Sequence, residues 1–432
     1  MRKRVLWIGM VCTLLLAMSL PDYVSTRRDP TGGPDDADLS VTHQNVAAPE
    51  DGRTHLLAAV KVCEVDDDDR LLAKAVWRGS DISTSDMASL LDANREALAH
   101  LRRALEAPHF RLPELSADEF DVVPEIPIET ESLIELLRFE SLYLARTGDW
   151  DGAFNSAIDI LRFAQRIEGA NHAALTTTML SVWYRSMGLE TLRRLASFAP
   201  LENEQAKHWV ETLPSFRSDP SAWKRMWAVE YQQWKALLGW IAERAEHDFR
   251  SGQGSVQAPE FTLLDIAALR SETERTLEAF AVVTRTYQRA SELDCSDLTS
   301  IPFPQDQWDT SAPTFEGRGA GDSEIALEIS TPDYRDFFIK RCAEDTALAA
   351  TQTLIALRAY QQDNNRLPEA LNDLVPAYLA SIPTDSFGGK PIRYSRAHKL
   401  VYSTGAEGAM DAGFEVQGKA APVHELTYPI EF

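Results

Sequence analysis

Cysteine is scarce in this sequence, and the few present do not group. Cys12, Cys63, Cys295 and Cys342 are the four, and none makes a Cys-x-x-Cys pair. That spacing excludes a zinc knuckle and a thioredoxin-type redox centre. Cys295 and Cys342 could pair in an oxidising compartment, but helix-buried free thiols are the commoner outcome. Nine histidines are scattered through the chain (His43, His55, His100, His109, His172, His208, His247, His398 and His424), and no two stand four residues apart. There is no His-Glu-x-x-His, no Gly-x-Ser-x-Gly elbow, no phosphate loop and no dinucleotide fingerprint. Gly317, Gly319 and Gly321 mimic a phosphate loop only superficially, since no strand precedes them and no lysine follows in register. Positive charge is also short: 43 Lys and Arg against 66 Asp and Glu leave a formal net charge of −23. Such a surface repels a phosphate backbone, which argues against nucleic acid or anionic lipid as the main partner. The acidity reads as solubility, with a cationic ligand or divalent ions as the second reading. Carboxylate pairs such as Glu131 and Glu135 lie on helix faces that need charge anyway. No residue is assigned as catalytic or cofactor-binding. A glycosidase pair stays open, because its two carboxylates need not be close in sequence.

What is present begins with an address. Arg2, Lys3 and Arg4 precede Val5 to Leu20, sixteen residues without a charge. This is the layout of an export signal. Sixteen residues rise roughly 24 Å as a helix, against an apolar bilayer core of roughly 30 Å, so flanking residues and local thinning would complete a span. Ala17-Met18-Ser19 offers a small-x-small cleavage site. In either case the cations stay inside and the remainder crosses. The expected location is the inner membrane, single-pass, with the body in the periplasm, or secretion if the signal is removed.

Residues 21–53 carry few large apolar side chains and read as a disordered tether. Helical periodicity starts near His55. The four aspartates Asp66 to Asp69 lack the alternation, central glycine and terminal glutamate of an EF-hand loop, and read as a solvated turn. Met87 to Leu105 shows a 3.6 period that Pro108 and Pro113 end. Between Glu129 and Ser197 lie three strong helices. The turn Thr147 to Trp150, with Ala145, Gly148 and Ala153 around it, resembles a tetratricopeptide-type hairpin. Only one unit is legible, so no peptide groove follows from it. On Pro220 to Phe249 the residues Trp223, Trp227, Tyr231, Trp234, Leu238 and Ile241 share one face. They read as core, with a sugar-stacking platform as the second reading. Leu269 to Leu293 is a further helix, and the Pro- and Gly-rich stretch 301–329 reads as a linker.

The C-terminal part is patterned differently. Tyr334 to Asp363 is expected to form one long amphipathic helix, and Glu369 to Tyr378 a short second one. Loop residues Pro383, Asp385, Phe387, Gly388, Pro391 and Tyr394 follow, then a strand-like LVYSTG from Leu400 to Gly405 and Glu407-Gly408. With Pro368, Leu371, Ser403 and Gly405 in the same order, this part resembles the C-terminal domain of the major pseudopilin of type II secretion systems. The resemblance covers about the last hundred residues, with one residue extra between Gly388 and Pro391. It implies a small antiparallel sheet against the long helix. It also implies calcium in the loop, for which Glu407 and Asp411 are the candidate carboxylates; the acidic loop after Glu407 is shortened here. No leader motif of the pilin kind precedes the N-terminal apolar run, so the module would serve as a folded head without fibre assembly. The overall layout is similar to a group of large bacterial envelope proteins, on stretches such as Ala93 to Leu115.

The expected architecture is mainly α: signal peptide or signal-anchor (1–20), disordered tether (21–53), irregular helical bundle with repeat-like hairpins (54–300), linker (301–329), and a small α+β pseudopilin-like module (330–432). The expected function is a membrane-anchored extracytoplasmic scaffold that engages protein partners, associated with a type II secretion or pilus-like assembly. The alternative is a periplasmic protein that binds or acts on cell-wall polymer.

Overall fold

The computed structural model describes residues 35–41, 50–65, 82–112, 129–251, 263–300, 334–403, 405 and 426–432. The signal segment 1–20 and the linker 301–329 lie outside them. Among the described residues no helix is long and apolar enough to cross a membrane.

The described residues are mostly helical. The helices are α1 (Gly52–Val62), α2 (Thr84–Ala93), α3 (Arg95–Glu106), α4 (Thr130–Thr147), α5 (Trp150–Glu168), α6 (Leu175–Phe198), α7 (Asn203–Thr212), α8 (Pro220–Ser251), α9 (Leu263–Glu292) and α10 (Arg335–Asn364). Short strands follow: β1 (Thr384–Asp385), β2 (Lys390–Pro391), β3 (Arg393–Ser395), β4 (Leu400–Tyr402) and β5 (Thr427–Pro429). β1 and β2 pair as a two-stranded ladder, and β3-β4-β5 form an antiparallel sheet with Val401 opposite both Tyr394 and Tyr428.

The expected hairpin at Thr147 to Trp150 is present. Gly148 ends α4 at φ +87°, a left-handed conformation that a side chain would resist. Asp149 then caps α5, its Oδ1 accepting from the Gly152 N–H at 2.9 Å. Buried Ala145 and Ala153 let the two helices close, and the Ser141 hydroxyl donates to the Ala153 carbonyl across the seam. α6 packs back on α5. Their approach is closest at Gly188, where an added Cβ would lie 2.6 Å from a Leu161 methyl.

α10 departs from the amphipathic reading. Residues 346–357 are buried without a break. α6 and α7 pack on the helix, and so do β1 and β4. Small side chains such as Ala347, Ala349, Ala350 and Ala356 permit that double approach, and Thr351 and Thr353 return their hydroxyls to carbonyls one turn back. One apolar cluster joins Phe154, Leu192 and Trp209 to Leu354, Ile392, Val401 and Tyr428. It therefore runs across the boundary drawn at 301–329.

Four local expectations are corrected. Met87 to Leu105 is two helices, because Asn94 turns its side chain to the backbone: Oδ1 accepts from the Glu64 N–H at 2.7 Å, and Nδ2 donates to the Glu64 and Leu90 carbonyls. Glu369 to Tyr378 is only a 3-10 turn at Leu371–Leu374, since Pro376 cannot donate and Asp373 draws in the N–H groups of Glu369 and Ala370. Cys295 and Cys342 are not free thiols but a disulfide, with Cα atoms 5.8 Å apart. Finally, the tether 21–53 is structured where it is described: Ala37–Leu39 form a 3-10 turn with Leu39 fully buried, and α1 starts at Gly52.

Gly52 is a close point of the α1–α3 contact. A Cβ there would stand 2.6 Å from the Ala104 carbonyl oxygen and 2.8 Å from the Phe110 ring. Gly52→Ala should destabilise the protein by about 1–3 kcal/mol, and chemical denaturation of the two chains checks this.

Candidate functional site

Two groups of polar side chains stand out, and α10 contributes to both. The first holds the C-terminal loop. Asp385, on β1 and 4% exposed, is its hub. Its Oδ2 accepts from the Ser403 hydroxyl at 2.7 Å, and its Oδ1 accepts from the Phe387 N–H at 3.1 Å and from the Thr346 hydroxyl of α10 at 3.3 Å. Ser403 accepts in turn from the Gly405 N–H at 3.0 Å, and the Tyr394 hydroxyl donates to the Pro368 carbonyl at 3.0 Å. Thus Asp385, Ser403 and Gly405, separated in sequence, are brought together, and Tyr394 is brought to Pro368. Their work is to fasten loop, strands and helix. These three partners of Asp385 are all donors from this chain, which fits a structural carboxylate.

The second group is a charged seam between α5, α6, α8 and α10. Arg185 and Glu168 are buried and paired at 2.6 Å. Glu168 also accepts from the Ser218 hydroxyl at 2.5 Å and from the Trp223 indole N–H at 2.8 Å. Burial works against the Arg185 charge, but the Glu168 carboxylate overrides it and holds the guanidinium pKa above its ordinary value. Beside this pair, burial raises Asp345, against the Ser218 N–H that donates to it at 3.1 Å. Burial also pushes Glu344 up to about 7, opposed by Arg185 and Arg193. Glu344 Oε2 is enclosed without a hydrogen-bond partner. Arg341 donates to the Ser291 and Leu293 carbonyls at 2.7 and 3.1 Å and stacks over Trp223, tying α10 to the end of α9 beside the disulfide. Arg193 donates to Thr351 at 3.1 Å and lies over the Tyr428 ring, joining α6 to both α10 and the sheet. None of the charged residues of this seam was singled out from the sequence. Only their placement inside otherwise apolar helices hinted at them.

The aromatic face of α8 is interior. Trp223, Trp227 and Tyr231 are at most 3% exposed, and Trp227 stacks on Tyr287 of α9 with centroids 4.6 Å apart. These rings cannot form a sugar platform. Trp240, 37% exposed, lies further along the same helix. A depression of about 380 Å³ lies between α3, α5 and the end of α7, over Leu105 and Phe216. Its arginines are engaged: Arg166 donates to the Leu105 carbonyl and Arg162 pairs with Asp159 at 2.7 Å.

The candidate calcium carboxylates Glu407 and Asp411, and the aspartates Asp66 to Asp69, lie outside the described residues. Among the described residues no group of three or more His, Cys, Asp or Glu is placed to hold a metal ion. No protein-family model, curated protein or solved structure matches this chain.

Two outcomes follow from the seam. Arg185→Met leaves Glu168 buried without its cation and should cost about 3–5 kcal/mol in urea unfolding. Glu344 has a folded pKa above its ordinary 4.5, so the native state binds more protons than the unfolded one between roughly pH 4.5 and 7. Stability therefore falls as pH rises through that window. Glu344→Gln should gain on the wild type by about 1–3 kcal/mol between the two ends of it, read from unfolding curves at pH 4.5 and pH 8.

Proposed function

We propose that this chain is a membrane-tethered, extracytoplasmic scaffold whose helical body docks other proteins, in association with a type II secretion or pilus-like assembly. The observation that carries the extracytoplasmic part is the Cys295–Cys342 disulfide. Such bonds form and persist in oxidising compartments and are rare in the cytosol. This agrees with the basic residues and apolar run that open the sequence. The scaffold part is supported by what the polar residues do. The Asp385 hub and the Glu168–Arg185 pair are spent on contacts between structural elements, as befits a rigid body. Burial of Trp223 and Trp227 weighs against the cell-wall polymer reading. The secretion association rests on the resemblance of residues 330–432 alone.

The disulfide closes a sequence separation of 47 residues. Reduction should lower the stability of the full chain by about 2–4 kcal/mol. On the chain taken from cells and denatured without reductant, a maleimide should leave Cys295 and Cys342 unmodified, and reductant should expose both to it. Modification of Cys295 and Cys342 before any reductant is added would place the chain in a reducing compartment and end the extracytoplasmic reading. Crosslinking in intact membranes, followed by capture of the chain, tests the association. Recovery without any secretion or pilus component would refute that part.

A further inference from the structure

The polar, Pro- and Gly-rich segment before α1 would be expected to stay clear of the body, yet Asp35 to Val41 is seated on the hairpin of α8 and α9. Leu39 is fully buried against Tyr231, Leu238, Leu277 and Ala281. Asp36 accepts from the Tyr231 hydroxyl at 2.7 Å and from Lys235 Nζ at 2.6 Å. Asp38 receives both arms of Arg285, from Nε at 2.9 Å and Nη2 at 2.7 Å. The backbone is read as well: Gln232 Nε2 donates to the Leu39 carbonyl at 2.9 Å, and Arg285 donates to the Asp35 carbonyl. The segment adds little of its own beyond one 3-10 turn. Nearly every contact that orders it comes from the hairpin.

This pattern is one by which proteins recognise short linear peptides. An apolar pocket takes one anchor side chain, cations flank it to read two acids, and side-chain donors grip the carbonyls. The cations are notable in a chain of net charge −23. We propose that the α8–α9 hairpin is a docking groove for peptides of the pattern Asp-x-Asp-Leu, and that Asp36, Ala37, Asp38 and Leu39 are its intramolecular occupant. A partner presenting the same pattern would enter by displacing them. Because the occupant is tethered, the groove is filled at a high local concentration, and only a partner held nearby or in excess competes. The proposal gives the scaffold reading a surface, but its test reads the groove alone, so its failure leaves the extracytoplasmic reading standing.

The probe is a fluorescent peptide with the sequence of residues 34–41, added to the full chain. Leu39→Asp vacates the groove, and this variant should bind the peptide at least tenfold more tightly than the wild type does. A second pair covers loss of folding by that variant. Arg285→Asp repels the resident Asp38 and should bind a peptide carrying arginine in the Asp38 position at least tenfold more tightly than the unaltered peptide. Equal affinity of wild type and Leu39→Asp for the peptide, or no preference of Arg285→Asp for the charge-swapped one, would overturn the proposal. So would a wild-type dimer that Arg285→Asp converts to monomer, since the groove would then serve a second copy of the chain.

Discussion

The structure depends on one helix being enclosed from all sides. A helix in a small domain usually shows one face to water, and its polar residues mark that face. α10 has no such face between residues 346 and 357. It can be enclosed because its side chains are small and because its threonines return their hydroxyl hydrogens to the helix backbone. Every element that matters for the C-terminal part is placed relative to it. α6, α7 and the short strands pack on it, Asp345 takes the Ser218 N–H just before α8, and Arg341 ties its first turns to the end of α9.

That enclosure explains why the strands can be so short. Two or three residues of ladder would not persist alone in water. Here Val401 and Tyr428 are buried against the same apolar cluster as Leu354 and Ile355, and Asp385 adds a buried polar fastening. Asp385, Tyr394 and Ser403 accordingly act as joints, each linking pieces of backbone that would otherwise separate.

Much of this was legible in the residues. Period and punctuation marked α4, α5 and α6 closely, because Gly148 and Asp149 carry the turn chemistry on their face. The long C-terminal helix was placed within a residue of its true ends. What was not legible needed partners distant in sequence. Asn94 breaks a helix only because the Glu64 backbone is there to be bonded, 30 residues away. Asp36 and Asp38 read as tether composition until Lys235 and Arg285, some 200 and 247 positions on, are brought opposite them. The same holds for the seam: a glutamate and an arginine on separate helices carry no sign of each other until packing removes their water. The burial of α10 was missed for a different reason. Alanine and threonine are equivocal in a hydrophobic pattern, so a helix made of them looks half-exposed when it is central.

The cystine between Cys295 and Cys342 has a topological effect beyond compartment and stability. It joins the residues just after α9 directly to the first half of α10, so everything between them belongs to a closed covalent ring. A single peptide-bond cleavage inside that ring releases nothing. The helical portion before it and the sheet portion after it stay linked through sulfur, and the nicked molecule keeps its mass until a reductant is supplied.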